Sequence, residues 1–173
     1  MLIVSQLING LQLGSIYALV ALGYSMVYGI IMLLNFAHGD IIMVGGYVAM
    51  LTIAAGVNPI FAVVLAIAAC MILAVAIEKV AYTPLRSSPR ISLLITAIGV
   101  SFLLENLAQN IFGANAQPFP NNKIIKTSSI NIGGVQIGIT AIVTIVVSVI
   151  SMVLLTFLVQ KTKRGKAMRA VSE

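Results

Sequence analysis

Asn35, His38 and Asp40 fall within six residues that separate two long uncharged runs of the chain. An amide, an imidazole and a carboxylate at membrane depth are costly, and such groups face a cavity or the interior of a helix bundle. Two readings of the stretch are open. In one it is a helix break that lines a path. In the other it is a plain cytoplasmic turn in which Asp40 caps the next helix by accepting its free N–H groups. Glu105 is the second candidate. It lies roughly 21 Å along an apolar segment at 1.5 Å per residue, with Asn106, Gln109 and Asn110 close behind it. A carboxylate there must pair, take up a proton or reach water. It lines a route or an interface, or it snorkels toward the outer headgroups.

Chemistry of the bond-breaking kind has no foothold. The chain lacks a Gly-x-x-x-x-Gly-Lys-Ser/Thr loop, so ATP hydrolysis by that device is not expected. One histidine and one cysteine, Cys70, give no metal cluster and no internal disulfide. Ser101 and Ser148 sit on apolar segments without a neighbouring base, and read as packing residues bonded to their own backbone. The expectation is therefore no catalytic site, no cofactor and no metal.

The elements that must hold these residues are set by composition. Hydrophobic residues make up 60% of the 173 and charged residues 8%, with mean hydropathy +1.11. A soluble domain carries about 25% charged residues, so there is too little charge to coat a water-facing surface. The fold class is all-α, a polytopic transmembrane helical bundle. The net charge of +6 does not argue for nucleic acid, because the basic residues sit in gaps between apolar runs and form no helical face. The N-terminus lacks the positive region of a secretory signal, the first basic residue being Lys79.

Five spans account for the apolar runs: about Leu7–Leu33, a short one at Ile41–Ala55, Pro59–Val80, Ile91–Phe112 and Val135–Gln160. Gly56-Val57-Asn58-Pro59 separates the second from the third, since Gly ends a helix and Pro starts one. Gly10 and Gly14, and Ala62 and Ala66, have the spacing that lets helices pack closely. The segment from Gly113 to Gly134 is rich in Pro, Asn and Gly and reads as turns. Five spans place eight of the ten Lys and Arg on one side, which the positive-inside rule makes cytoplasmic. Lys79, Arg86, Arg90, Lys161, Lys163 and Arg164 are the expected topology anchors, and Glu78 an interfacial structural residue.

Several strings occur together and in order: Asn9-Gly-Leu-Gln-Leu-Gly-Ser-Ile-Tyr-Ala-Leu19, Asn35-Phe-Ala-His-Gly-Asp40, Glu78-Lys-Val-Ala-Tyr-Thr-Pro-Leu-Arg86, Thr96-Ala-Ile-Gly-Val-Ser-Phe-Leu-Leu-Glu-Asn106, and the tail from Gly165 to Glu173. Taken together the chain resembles the membrane subunits of branched-chain amino acid ABC importers, over essentially its whole length. The resemblance implies a single permease domain over residues 1–173 that stops within the cytoplasmic coupling segment, with about five spans present of about eight. It implies a bacterial inner-membrane location with a cytoplasmic tail. It implies a second permease subunit, cytoplasmic ATPase subunits and an extracytoplasmic amino-acid-binding protein as partners, besides the lipid bilayer. The substrate path candidates are Asn35, His38, Asp40, Glu105 and Asn106. Gly165, Ala167, Arg169, Ala170 and Glu173 would couple to the ATPase. Relatives often carry Gln-Asn where this chain has Glu105-Asn106, so the charge at Glu105 is a departure. Permeases for urea and short amides are similar, and a passive channel, an ion-coupled carrier or a non-transporting scaffold are the remaining alternatives.

Overall fold

A computed structural model describes residues 2–31, 35–120, 129–132, 135–162 and 165. The order is α1 (Leu2–Ile31), α2 (His38–Ala54), α3 (Pro59–Ile77), a π-helical turn (Glu78–Tyr82), a 3-10 turn (Thr83–Leu85), α4 (Arg90–Phe112), a hairpin of β1 (Ser129–Ile132) and β2 (Val135–Gly138), and α5 (Ile139–Lys161). Among the described residues four helical stretches are long and apolar enough to cross a membrane: Ile3–Gly29, Pro59–Leu85, Arg90–Phe112 and Ile139–Lys161. α2 is apolar but has 17 residues, about 25 Å of helix against the ~30 Å of a hydrocarbon core. The expected helical bundle is thus present, and its second helix is short, as expected.

The chain divides into two compact units. One unit combines α1, the hairpin and α5. Within it α1 packs along α5, and β2 touches both helices. Its buried residues among those described are small: Ser15, Ala141, Ser148 and Gly165. The antiparallel strands pair from Ser129↔Gly138 to Ile132↔Val135, so the segment expected to be turns holds a hairpin. The last span accordingly starts at Ile139, not at Val135, whose backbone is in β2. Gly10 and Gly14 are exposed, and a Cβ at either would meet nothing within 4 Å. They do not form a helix contact among the described residues.

The second unit holds α2, α3, the two short turns and α4. Gly56, at φ +88°, ends α2, a conformation glycine adopts without steric cost. Asn58 then caps α3 by accepting the Ile60 N–H at 2.9 Å, with Pro59 at the first helical position. The break expected at Gly56–Pro59 is present. α2 folds back onto α3, the most extensively packed pair of elements. Ala62 is fully buried and Ala66 half-buried, so this small-residue pair does lie on a packed face. At Gly45 a Cβ would stand 2.6 Å from the Cys70 sulfur, the closest side-chain approach of the two helices at a glycine. Large apolar side chains on α3 and α4 such as Ile60, Phe61, Ile72, Ile91 and Ile111 are mostly exposed. The outside is greasy and the inside is small, the pattern that lets helices approach in lipid.

Pro84 ends the helical run that begins with α3. Proline has no N–H, and its ring clashes with the carbonyl four residues earlier. The helix widens to a π turn over Glu78–Tyr82, tightens to 3-10 over Thr83–Leu85, and then stops. The Thr83 hydroxyl donates to the Glu78 carbonyl at 2.9 Å and to its carboxylate at 3.3 Å. Arg86 Nη2 closes the corner on Glu78 Oε1 at 2.6 Å.

Candidate functional site

The start of α2 is held by three different elements of its own unit. Ala37 is the N-cap residue and is fully buried, and no side chain caps the helix. Asn35 instead folds over the chain: its Oδ1 accepts the Ala37 N–H at 3.2 Å and its carbonyl accepts the His38 N–H at 3.1 Å. This is the local turn that Asn side chains form readily. The same Oδ1 accepts the Tyr82 hydroxyl at 2.8 Å, which ties the turn to the π-helical corner. The Cys70 thiol of α3 donates to the Ile41 carbonyl at 3.3 Å.

Asp40 lies inside the first turn of α2, with 8% of its surface exposed. Its Oδ2 accepts the Ser101 hydroxyl at 2.5 Å. Ser101 is the central residue of α4, about 16 Å of helix from either end. The capping that one of the two readings gave Asp40 is therefore not what it does. Its carboxylate is turned to α4 and not to the N–H groups of its own helix. Ser101 also departs from expectation, since it bonds across to Asp40 and not to its own backbone. The hydroxyl has one proton to give, and it goes to the Asp40 carboxyl and not to the local carbonyl.

His38 is half-buried at the head of α2, outside the four candidate spans. Desolvation lowers its pKa from the ordinary 6.5, because burial disfavours the charged imidazolium. Glu105 and Asn106 stand on exposed positions of α4. Asn106 Nδ2 donates to the Phe102 carbonyl at 2.7 Å. Among the described residues Glu105 has no ion-pair partner. The structure thus bonds Asn35 to Tyr82, Asp40 to Ser101 and the Ile41 carbonyl to Cys70, while Asn106 bonds within α4.

Further along α2 an apolar cavity of about 270 Å³ opens between α2, α3 and α4, with Val44, Leu73, Leu104 and Leu107 among its walls. Tyr47 and Phe112 stack at one place on its lining, with centroids 3.9 Å apart and planes 7° apart. Lys79, Arg86, Arg90 and Lys161 are exposed, with Arg86 paired to Glu78. At the end of α5 the Thr162 hydroxyl donates to the Leu158 carbonyl and accepts the Gly165 N–H at 3.1 Å. Gly165 is buried, and a Cβ there would collide with the carbonyls of Leu158 and Val159. Lys163, Arg164, Ala167, Arg169, Ala170 and Glu173 lie outside the described residues. No group of three or more metal-ligating side chains occurs among the described residues.

Tyr82 and Ser101 are the site residues that the sequence does not mark as functional. Both lie inside strings that carry the resemblance, but neither spacing nor charge sets them apart. Their partners lie 47 and 61 residues away.

Several helices of this length and apolarity define a multi-pass helical membrane protein. The family model for the branched-chain amino acid transport system permease component matches residues 6–173, and the chain belongs to that family. It is 39% identical, over 97% of its length, to the high-affinity branched-chain amino acid transport system permease protein BraD of Pseudomonas aeruginosa. It is 39% identical to LivH of Salmonella typhimurium and 38% to LivH of Escherichia coli K12, both named as permease proteins of the same kind of system and both matched over 97% of the chain. The chain spans 58% of the length of each of these relatives. No solved structure matches it.

Proposed function

We propose that this chain is part of a permease subunit of an ATP-driven importer for branched-chain amino acids. The observation that carries the reading is the ordered family match over residues 6–173. A binding protein would deliver the substrate outside, and the helices would alternate access. ATP would be bound and hydrolysed by a cytoplasmic partner, so this subunit would be no enzyme itself. A second permease subunit would complete the pathway. The membrane would be the bacterial inner membrane, with the tail after Lys161 in the cytoplasm by the positive-inside rule.

The path would include Asn35, His38 and Asp40. The burial of Asp40 against the middle of α4 supports this, because a carboxylate at that depth is expensive unless it has a task. Glu105 and Asn106 would line a part of the route or of a subunit interface distinct from that cluster. Gly165, Ala167, Arg169, Ala170 and Glu173 would begin the surface on which the ATPase docks, and Lys161, Lys163 and Arg164 would hold the last helix at the headgroups.

The test is uptake by the full-length protein in cells lacking their own branched-chain transport. Radiolabelled leucine should enter, and unlabelled isoleucine and valine should compete where urea does not. Competition by urea would move the substrate to the amide class. Uptake that survives removal of every partner ATPase would overturn the ATP-driven reading in favour of a passive or ion-coupled route.

A further inference from the structure

We infer that Ser101 is a positioning residue for the substrate path, acting through Asp40. The inference rests on the reading of Asp40 as a path residue and adds the element that holds it. Helical hydroxyls in this chain have a default partner. Ser25, Thr96 and Thr144 each donate to the carbonyl four residues earlier at 2.8 Å. Ser101 has the same option on an apolar helix, yet its single proton goes to a carboxylate 61 residues away in sequence. A lone serine hydroxyl can donate once, so the bond to Asp40 excludes the local one.

The backbone around Asp40 is fixed separately. Tyr82 holds Asn35 and Cys70 holds the Ile41 carbonyl, so the first turn of α2 is pinned on either side of Asp40. Ser101 therefore does not set where Asp40 is; it sets how the carboxylate is turned. One oxygen is committed to α4, and the direction of the other follows from the plane of the group. A donor on a passing substrate, such as the α-ammonium of an amino acid, would meet a carboxylate already oriented, and this preorganisation lowers the cost of binding. Removing the hydroxyl would leave the helix packing intact and free the carboxylate to turn.

The experiment compares Ser101→Ala, Ser101→Thr, Asp40→Asn, Asp40→Ala and the double Asp40→Asn/Ser101→Ala in the full-length protein, assembled with its importer partners in proteoliposomes. Initial rates of leucine uptake are read against leucine concentration. Ser101→Ala should lower Vmax/KM about tenfold, equivalent to ~1.4 kcal/mol, mainly through KM, with unchanged membrane insertion and a melting temperature lowered by no more than about 6 °C, the worth of one hydrogen bond. Ser101→Thr keeps the hydroxyl and should lie within about twofold of the parent on the same scale. The double variant should be no worse than Asp40→Asn. Parent-like uptake by Ser101→Ala beside an impaired Asp40→Asn would overturn the positioning role and leave the path reading standing. Full uptake by Asp40→Ala would overturn the path reading, and this inference with it. A loss in Ser101→Ala that comes with a larger fall in melting temperature than that and is not rescued by threonine would make the serine structural and overturn the inference alone.

Discussion

Replacing Gly45 by alanine tests the α2–α3 contact most directly. The added methyl would stand 2.6 Å from the Cys70 sulfur, about 1 Å inside ordinary van der Waals contact. The sulfur has little room to give, because its thiol is bonded to the Ile41 carbonyl on the same helix face. Gly45 is itself buried in the packed side of α2, so the helices must separate or Cys70 must leave its rotamer. Overpacking of this kind costs about 1–3 kcal/mol. For a chain of this size that is a fall in melting temperature of about 2–12 °C, read from the loss of the monodisperse peak of detergent-purified protein after heating. The decisive comparison adds Cys70→Ala. Taking away the sulfur opens the space, so the double variant should regain most of the loss, whereas Cys70→Ala alone gives up one weak hydrogen bond. Melting of Gly45→Ala at the parental temperature, or an additive double variant, would refute the contact.

Tyr82→Phe keeps the ring and removes the donor to Asn35, so it should cost about 0.5–1.5 kcal/mol, seen as a small drop in the same melting assay. Asn58→Ala removes the side-chain cap of α3 and should cost about 1 kcal/mol, whereas Asn58→Ser should cost little by the same measurement. Gly165→Ala should displace the turn at the end of α5, because the new methyl meets backbone carbonyls and not a flexible side chain. The readout is tryptic cleavage after Lys161, faster by about fivefold for each 1 kcal/mol of local destabilisation.

Much of the architecture is legible in the sequence because apolar length and punctuation are local properties. Gly56 through Pro59 marks the α2–α3 hairpin, and the run from Ile91 to Phe112 is within one residue of α4. The hairpin before α5 is not legible. Val135 and Ile137 read as the start of an apolar span, and pairing with Ser129–Ile132 is a contact that hydropathy does not register. The candidate site is half legible. Asn35, His38 and Asp40 announce themselves as polar groups between apolar runs, and the structure bonds the first and last of them to residues far along the chain. The donors that complete the cluster do not. Ser101 looks like an ordinary residue of an apolar helix and Tyr82 like one of the gap that follows another, and only long-range folding gives them a carboxylate and an amide to serve. Asp40 reads as a cap for the same reason, since capping is the local use of a carboxylate at a helix start, and α4 offers a better one.

The π turn between α3 and the corner is also an angular device. In an α-helix each residue advances the chain by about 100°, so a turn that accommodates one additional residue offsets every later side chain by that amount. The offset is what determines the azimuth of Tyr82 relative to the buried face carrying Cys70 and Ala62. Were Glu78–Tyr82 wound as regular α-helix with every residue kept, Tyr82 would swing roughly 100° out of its present bearing on Asn35. The helix would keep its hydropathy and lose its aim, so a change invisible to composition would uncouple the corner from the start of α2.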